Sequence, residues 1–291
     1  MGILDELKNG TLLCDGGMGT QLQVRGLAAG ELPGAWNVSH PDILEEVHLA
    51  YRKAGARIMT ANTFGVHRLN YPGGGPLSAE NVVRAGMAAA KRAAKAELPG
   101  FAEAFAGLDI GPLGQMIEPM GDLTPKEAED IFAEVVRAGK DDADLIQIET
   151  MIDLTEAECA LRAAKANSDL PVFVTFSLNE QGCLLTGAGI PEIVAAMESL
   201  GADAVGMNCG LGPKQMLPLI RRFRELTSLP LVLNPNAGLP HTENGALVYD
   251  VDAEEFASIM AETAQIPVQV VGGCCGTTPE FIARLKETLI A

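Results

Sequence analysis

The stretch VQVVGGCCGTTPEFIARL, Val268 to Leu285, contains the unit from which this chain is built. Its first half is a short apolar run rich in β-branched residues, which favours a buried strand. Its second half has the apolar spacing of an amphipathic helix, with Thr278 as a candidate N-cap and Pro279 at the first helical position. A strand followed by such a helix is typical of a βα unit in a parallel sheet.

The same unit recurs eight times along the 291 residues. The strand-like runs lie at 11–17, 56–64, 105–112, 143–151, 171–178, 202–210, 230–238 and 268–276. The helix candidates lie near 41–54, 80–96, 125–139, 154–167, 190–200, 213–226, 252–264 and 278–290. Eight units in a chain of this length predict an α/β protein with one domain, a single (β/α)8 TIM barrel over residues 1–291. A doubly wound sheet is the alternative, because counting units does not prove closure.

Polar side chains gather where the predicted strands end. In both architectures the carboxyl ends of parallel strands lie on one side of the sheet, and ligands bind there. Six of these ends carry polar residues, namely Asp15, Asn62 with Thr63, Glu149 with Thr150, Asn208 with Cys209, Asn234 with Asn236, and Cys274 with Cys275. We therefore expect the active site at the C-terminal ends of the strands.

Composition excludes several classes of protein. The net charge of −17 argues against a nucleic-acid partner, since nothing balances phosphate repulsion. No apolar run approaches the roughly 20 residues of a membrane span, and the N-terminal MGILDELKNG is too polar for a secretory signal. Six cysteines are too few and too irregular for a disulfide framework. These features predict a cytoplasmic protein without a membrane partner.

Three of the cysteines could meet at the barrel mouth. Cys209 ends the sixth run and the adjacent pair Cys274 and Cys275 ends the eighth, with glycines beside the pair that free the backbone to turn. Three thiolates suit zinc, and three protein ligands with an open fourth place are typical of a catalytic site. Burial of the cysteines as small core residues is one alternative, and a redox pair is another, although C-x-x-C is absent.

Seven motifs together resemble the homocysteine S-methyltransferase family, with the strongest likeness to the homocysteine-binding module of cobalamin-dependent methionine synthase. They are CDGGMGTQLQ, TANTFG, IGPLGQMIEPMGDLT, LIQIETMIDLTEAECA, GMNCGLGP, PNAGLP and VGGCCGTTPEFI. The likeness runs from about residue 10 to the C-terminus. It implies a (β/α)8 barrel and a zinc-dependent enzyme that moves a methyl group to the thiol of homocysteine and forms methionine.

The resemblance also implies a metal site. Zn²⁺ would be held by Cys209, Cys274 and Cys275, and the homocysteine sulfur would enter as the fourth ligand. A nitrogen or oxygen ligand can occupy that place in the family when substrate is absent, and Asn236 is the candidate here. Zinc is needed because a free alkyl thiol is only slightly ionised near pH 7, whereas a coordinating thiol loses its proton.

The family's substrate contacts fall on matched positions of this chain. Asp15 and Glu149 would receive the homocysteine ammonium, while the backbone amides of Gly17 and Met18, with Thr63 nearby, would receive its carboxylate. This division agrees with the chemistry of a zwitterionic amino acid, which needs anionic acceptors at one end and donors at the other.

The sequence also bears on the methyl donor. The chain contains no cobalamin-binding D-x-H-x-x-G and ends soon after its last helix, so we expect a separate donor. A methylated corrinoid, carried by a partner protein, is the favoured donor because the motifs lean toward the cobalamin-dependent branch. Betaine or S-methylmethionine is second, since aromatic residues are only 4% of the chain and an aromatic cage needs several. Two rivals are another thiol as acceptor and a barrel that binds an amino acid or docks in a complex without turnover.

Overall fold

Eight parallel strands close into a barrel in the computed structural model, which describes residues 2–243 and 246–290. The strands of the barrel are β1 (Leu12–Leu13), β2 (Ile58–Thr60), β3 (Phe105–Ile110), β4 (Leu145–Met151), β5 (Val172–Phe176), β6 (Ala204–Asn208), β7 (Leu231–Asn234) and β10 (Val270–Val271). Two more strands, β8 (Pro240–Glu243) and β9 (Ala246–Tyr249), form a separate sheet. The barrel order is β1-β10-β7-β6-β5-β4-β3-β2. A parallel bridge between Cys14 and Ile58 joins the two outermost strands, which closes the sheet and confirms the predicted TIM barrel.

Helices follow the strands and cover the outside of the barrel. They are α1 (Ile3–Leu7), α2 (Met18–Gln23), α3 (Trp36–Ser39), α4 (Pro41–Ala54), α5 (Ala79–Ala94), α6 (Pro125–Gly139), α7 (Leu154–Asn167), α8 (Ile190–Ser199), α9 (Pro213–Leu226), α10 (Ala253–Met260) and α11 (Pro279–Leu289). Short 3₁₀ turns lie at Pro33–Ala35, Gly75–Leu77, Lys140–Asp142 and Ala261–Gln265. The eight predicted helices correspond to α4 through α11, with ends that differ by a few residues.

Local capping explains where several of these helices begin. The Thr124 hydroxyl accepts a hydrogen bond from the backbone of Glu127, whose side chain accepts one in return, which is a complete capping box for α6. Thr278 occupies the N-cap position of α11 as expected, but its side chain makes no capping hydrogen bond. Pro279 alone fixes that start by its restricted φ.

The chain contains a β-hairpin that the sequence analysis did not predict. β8 and β9 pair antiparallel within the long connection after β7. Thr242 lies opposite Leu247 in this pair, and Pro240 lies opposite Tyr249. The hairpin brings Tyr249 back to the barrel mouth.

The N-terminal end of the barrel is plugged, so only one end is open to a ligand. Ile3 and Leu7 of α1 pack into a small core with one inward residue from each barrel strand, among them Leu12, Phe105 and Phe173. Burial of these side chains stabilises the closed end by removing apolar area from water. Within the described part of the chain, no helix has the length and apolarity required to cross a lipid bilayer.

A buried histidine makes the stability of the barrel dependent on pH. His48 of α4 is fully buried, and neither ring nitrogen has a hydrogen-bond partner among the described residues. Burial, with a smaller effect of Arg92, lowers the pKa of His48 from 6.5 to about 4. Because the unfolded chain takes up this proton first, the contribution of His48 to the free energy of unfolding falls as pH drops through 6.5 toward 4.

We therefore expect a His48→Leu variant to lose less stability than the wild type on acidification. The difference in the free energy of unfolding between the two proteins should change by about 2 kcal/mol between pH 7 and pH 5. Urea unfolding of both proteins at each pH measures it. Buried carboxyl groups contribute equally to both proteins and cancel in the comparison. If the free energy of unfolding of the two proteins fell equally with pH, a neutral His48 in the folded state would be contradicted.

Candidate metal centre and substrate cavity

Three cysteine sulfurs converge at the open end of the barrel. Cys209 follows β6, whereas Cys274 and Cys275 follow β10, and β7 lies between those two strands. The three Sγ atoms all lie within 4.8 Å of one another, and those of Cys209 and Cys275 are 3.8 Å apart. All six cysteines are free thiols. The fold thus brings together the three sulfurs that the sequence singled out.

The spacing of these sulfurs fits a tetrahedral zinc ion. Sulfur ligands at about 2.3 Å from zinc in a tetrahedron lie about 3.8 Å from one another. The separation between Cys209 and Cys275 already has this value. The three thiols could therefore bind the ion with little movement and leave one position for a fourth ligand.

Left-handed backbone turns aim the side chains of β4 and β6 at this centre. Thr150 has φ 60° and Cys209 has φ 55°, values that cost energy for residues with a Cβ. Asn208 holds the first turn, because its Oδ1 accepts from the Thr150 amide and its Nδ2 donates to the Thr150 hydroxyl, each at 2.8 Å. The amide of Cys209 donates to the carbonyl of Asn234 at 3.1 Å. Such strain is typical of a functional site.

Hydrogen bonds from neighbouring strands fix the loop that carries Cys274 and Cys275. The amide of Cys274 donates to the Pro235 carbonyl at 2.8 Å, and the amide of Cys275 donates to Oδ1 of Asn236 at 3.1 Å. The hydroxyl of Thr277 donates to the carbonyl of Cys274 at 2.7 Å. These hydrogen bonds hold the loop in place.

A glycine is required where this loop leaves β10. A Cβ at Gly272 would lie 2.7 Å from Cβ of Cys14 and 2.8 Å from the carbonyl oxygen of Asp15. Backbone on one side and a buried side chain on the other leave no room for it. The strand ends at Val271, so both cysteines lie outside it and can face the mouth, as the flanking glycines predicted.

The three thiols share negative charge unequally. Hydrogen bonds from Cys209 and Cys274 lower the pKa of Cys275, and the nearby Tyr249 hydroxyl acts in the same direction. The Cys274 thiol donates hydrogen bonds to Cys209 and Cys275, which raises the pKa of Cys274, and burial raises it further. The cluster without a cation thus favours one thiolate, and a bound cation is needed to ionise all three.

A cavity of about 330 Å³ adjoins the cysteines and is lined by carboxyl groups. Its walls include Asp15, Asp109, Glu149, the backbone of Gly17 and Met18, and the three cysteines. No lysine, arginine or histidine is among the described residues that line it. A cavity with this charge suits a small ligand that carries a positive group.

The carboxyl group of Asp15 accepts hydrogen bonds from Thr60. Its two oxygens accept hydrogen bonds from the amide of Thr60 at 2.8 Å and from the Thr60 hydroxyl at 2.7 Å. Burial nevertheless raises the pKa of Asp15 to about 7. For Glu149, burial together with the thiol of Cys209 and the carboxyl of Asp15 raises the pKa to about 8. A cation in the cavity would favour the ionised form of both.

Two predicted site residues do not line the cavity. The hydroxyl of Thr63 donates to the backbone carbonyl of Asp109 at 2.7 Å, and Thr63 is buried behind the cavity wall. Asn236 is also buried, and its oxygen holds Cys275. Gly17 lines the cavity, but its amide donates to the hydroxyl of Thr277 at 3.2 Å. Met18 lies at the first position of α2, where an amide lacks a helical partner.

Sequence reasoning missed three residues of this site. Asp109 faces the cavity from β3, Thr277 supports the cysteine loop, and the ring of Tyr249 packs on Gly276. Asp109 could have been found, because a carboxylate within the apolar run FAGLDIGP is unusual for a buried strand. Tyr249 carried no comparable signal, since the hairpin that places it was not predicted.

The sequence is similar to that of known proteins over nearly its whole length. The pattern of the homocysteine S-methyltransferase family matches residues 12–289. Methionine synthase of Mycobacterium leprae is 31% identical to this chain over an alignment of 304 positions. The alignment covers 99% of this chain and 25% of that protein. Methionine synthase of Mycobacterium tuberculosis gives the same identity and coverage. The chain thus spans about a quarter of the length of these curated relatives.

Solved structures give the same fold. The metallated form of the homocysteine methyltransferase MmuM from Escherichia coli superposes with a TM-score of 0.84. The two proteins are 24% identical, and the match covers 98% of each chain. The oxidized form of that protein gives a TM-score of 0.81 over 95% of each chain.

Proposed function

Because this chain belongs to the homocysteine S-methyltransferase family, we propose that it methylates the thiol of homocysteine and releases methionine, with Zn²⁺ bound by Cys209, Cys274 and Cys275. One observation carries the proposal: three thiols within 4.8 Å of one another adjoin a cavity whose walls hold three carboxyl groups. The thiols suit the metal and the carboxyl groups suit an ammonium. Homocysteine offers a sulfur to the first and an ammonium to the second.

The reaction forms a bond between sulfur and the methyl carbon, breaks the bond between that carbon and the donor, and releases the thiol proton. Zinc, when bound, would supply the positive charge that keeps the substrate sulfur ionised at neutral pH. The protein's part is to hold the sulfur at the mouth, where a donor can approach in line. Displacement at a methyl carbon needs no general acid from the chain.

Recognition of the amino-acid end would divide between two walls of the cavity. Asp15 and Glu149 are proposed to accept hydrogen bonds from the ammonium. The amide of Met18 is proposed to donate to the carboxylate, with Gly17 beside it. Thr63 would support this wall from behind rather than by contact. Asn236 has a second lone pair on its oxygen and is our candidate for the fourth metal ligand when substrate is absent.

A methylated corrinoid, bound to a partner protein, is the proposed donor. The likeness of the sequence motifs to the cobalamin-dependent branch of the family motivates this choice. A second support is an apolar rim, by which we mean six exposed apolar side chains on connections that follow β1, β2, β3 and β5: Val24, Leu32, Phe64, Leu77, Met120 and Leu185. These connections leave the strands at the end of the barrel that holds the cavity, and exposed apolar groups there favour contact with a protein or another large donor.

The donor can be identified directly by a comparison of three candidates. Purified protein loaded with zinc should form methionine from homocysteine and methylcobalamin, and more slowly from betaine or S-methylmethionine. Methionine is measured by mass spectrometry, with mercaptoethanol as a control acceptor that lacks the ammonium. Faster turnover with betaine or S-methylmethionine would replace the proposed donor, and equal turnover of mercaptoethanol would contradict the acceptor.

We further propose that residues 1–291 act as one homocysteine-binding barrel domain and that the cytoplasm is its compartment. The family match over 12–289 and the single closed sheet support one domain. The six free thiols suit a reducing compartment.

A further inference from the structure

Asp109 is the carboxyl group of the cavity that the proposed chemistry leaves without a role. It lies on β3, only 4% of its surface is exposed, and it lines the cavity beside the cysteines. Its Oδ1 is buried and accepts no hydrogen bond from any residue that the structure describes. A buried and unpaired carboxylate oxygen is costly, so this group needs a physical account.

Two other carboxyl groups line the same cavity as Asp109. The register pairs Asp109 with Gln147 of β4, so Glu149 lies two residues further toward the mouth on the same face. Asp15 faces it from β1, and the three thiols lie at the same mouth. Among the residues described along this lining, no basic side chain balances these groups.

The loaded site already contains more negative than positive charge before Asp109 is considered. Its positive groups would be one metal dication and one ammonium. Its negative groups would be the protein thiolates, the thiolate and carboxylate of the substrate, and the ionised Asp15 and Glu149. A further anion in the same buried space would be strongly unfavourable.

Asp109 is the group best suited to hold a proton. Asp15 receives two hydrogen bonds from Thr60, which favour its anion. Glu149 is half-buried and reaches the cavity surface. Asp109 has neither donors nor exposure. Burial, with the charges of Glu149 and Asp15, accordingly raises the pKa of Asp109 well above its ordinary value.

We infer that Asp109 is a third recognition group of the cavity. It keeps its proton and donates a hydrogen bond to the carboxylate of Asp15 or Glu149. This inference rests on the proposed function, because it assigns a role within the same substrate site. Asp109 would limit the negative charge presented to the ammonium and hold the accepting carboxylates in place. It is a positioning residue rather than a group that reacts.

Two variants of Asp109 separate this role from its alternatives. Asp109→Asn keeps the size and a hydrogen-bond donor without the ability to ionise, whereas Asp109→Leu keeps the size and removes the donor. Asp15→Asn serves as the matched control for loss of an ionised acceptor. Homocysteine affinity of each zinc-loaded protein is measured by titration calorimetry, and folding is checked by thermal unfolding.

We expect Asp109→Asn to bind homocysteine within about threefold of the wild type, and Asp109→Leu to bind it about tenfold more weakly. If Asp109 keeps its proton as inferred, the homocysteine affinities of wild type and Asp109→Asn should follow the same curve between about pH 6 and pH 8. In turnover, Asp109→Leu should raise KM more than it lowers kcat.

Three results would overturn the inference. Asp109→Asn could weaken binding as much as Asp15→Asn, which would mean that Asp109 is an ionised acceptor. Its affinity could diverge from that of the wild type across the pH series, which would mean that Asp109 titrates. Asp109→Leu could bind as well as Asp109→Asn, which would mean that the side chain only fills space. Normal homocysteine binding without methionine formation would instead count against the proposed function alone.

Discussion

Purified Cys209→Ala, Cys274→Ala and Cys275→Ala proteins should each contain little zinc and form almost no methionine. The three sulfurs lie within 4.8 Å of one another, so removal of any one leaves two protein ligands for an ion that needs three. We expect zinc affinity to fall by at least about a thousandfold, roughly 4 kcal/mol. Metal analysis of the dialysed proteins and a methionine assay measure the two effects.

Cys183→Ala is the matched control for this set. Cys183 is a half-buried free thiol in the connection after β5 and is not part of the cluster of three thiols. Its replacement should leave zinc content and turnover unchanged. Full zinc occupancy with full activity in any one of the three cluster variants would refute the metal site.

Asp15→Asn and Glu149→Gln should weaken homocysteine binding by about 10- to 100-fold each while zinc stays bound. Each change removes an anionic acceptor from a buried ammonium site, and a hydrogen bond to a charged group contributes about 1.5–3 kcal/mol. The cysteine cluster is untouched, so metal content should remain normal. Titration calorimetry with homocysteine and metal analysis separate binding from zinc loss.

A substrate analogue and a surface variant provide the controls. 4-Mercaptobutyrate is homocysteine without its amino group, and the two variants should bind it as well as the wild type does. Glu118→Gln removes an exposed carboxylate in the connection after β3 and should leave homocysteine affinity unchanged. If Asp15→Asn or Glu149→Gln bound homocysteine and 4-mercaptobutyrate equally more weakly than the wild type, these carboxylates would not be the groups that bind the ammonium.

The barrel could be predicted from sequence because its units are regular. Apolar runs such as 143–151 and the capped start of α6 carry strong local signals for strand and helix. The count of units alone did not establish closure, which only the family resemblance implied, since closure depends on Leu12–Leu13 and on a single bridge from Cys14 to Ile58. Two paired residues leave no pattern in a sequence.

The cysteine cluster was predictable for a different reason. Parallel strands end on one side of the sheet, so Cys209, Cys274 and Cys275 had to lie at the same mouth. Which way a residue faces beyond a strand end depends on the turn there, and alternation of side chains stops with the strand. Thr63 and Asn236 are of this kind, since the Thr63 hydroxyl turns to the carbonyl of Asp109 and the Asn236 oxygen turns to the amide of Cys275.

The sequence could point to Asp109 but not to its surroundings, and it gave no sign of the position of Tyr249. The importance of Asp109 comes from what surrounds it on β1 and β4, which only the closed barrel brings together. The position of Tyr249 comes from a hairpin whose two strands are four residues each. Strands of that length between turn residues resemble a loop.

X-ray absorption at the zinc edge, recorded with and without homocysteine, tests the central claim most directly. The account predicts three sulfur ligands at about 2.3 Å and one lighter ligand in the free protein, and four sulfurs after homocysteine is added. An unchanged shell of three sulfurs in protein that has bound homocysteine would contradict it.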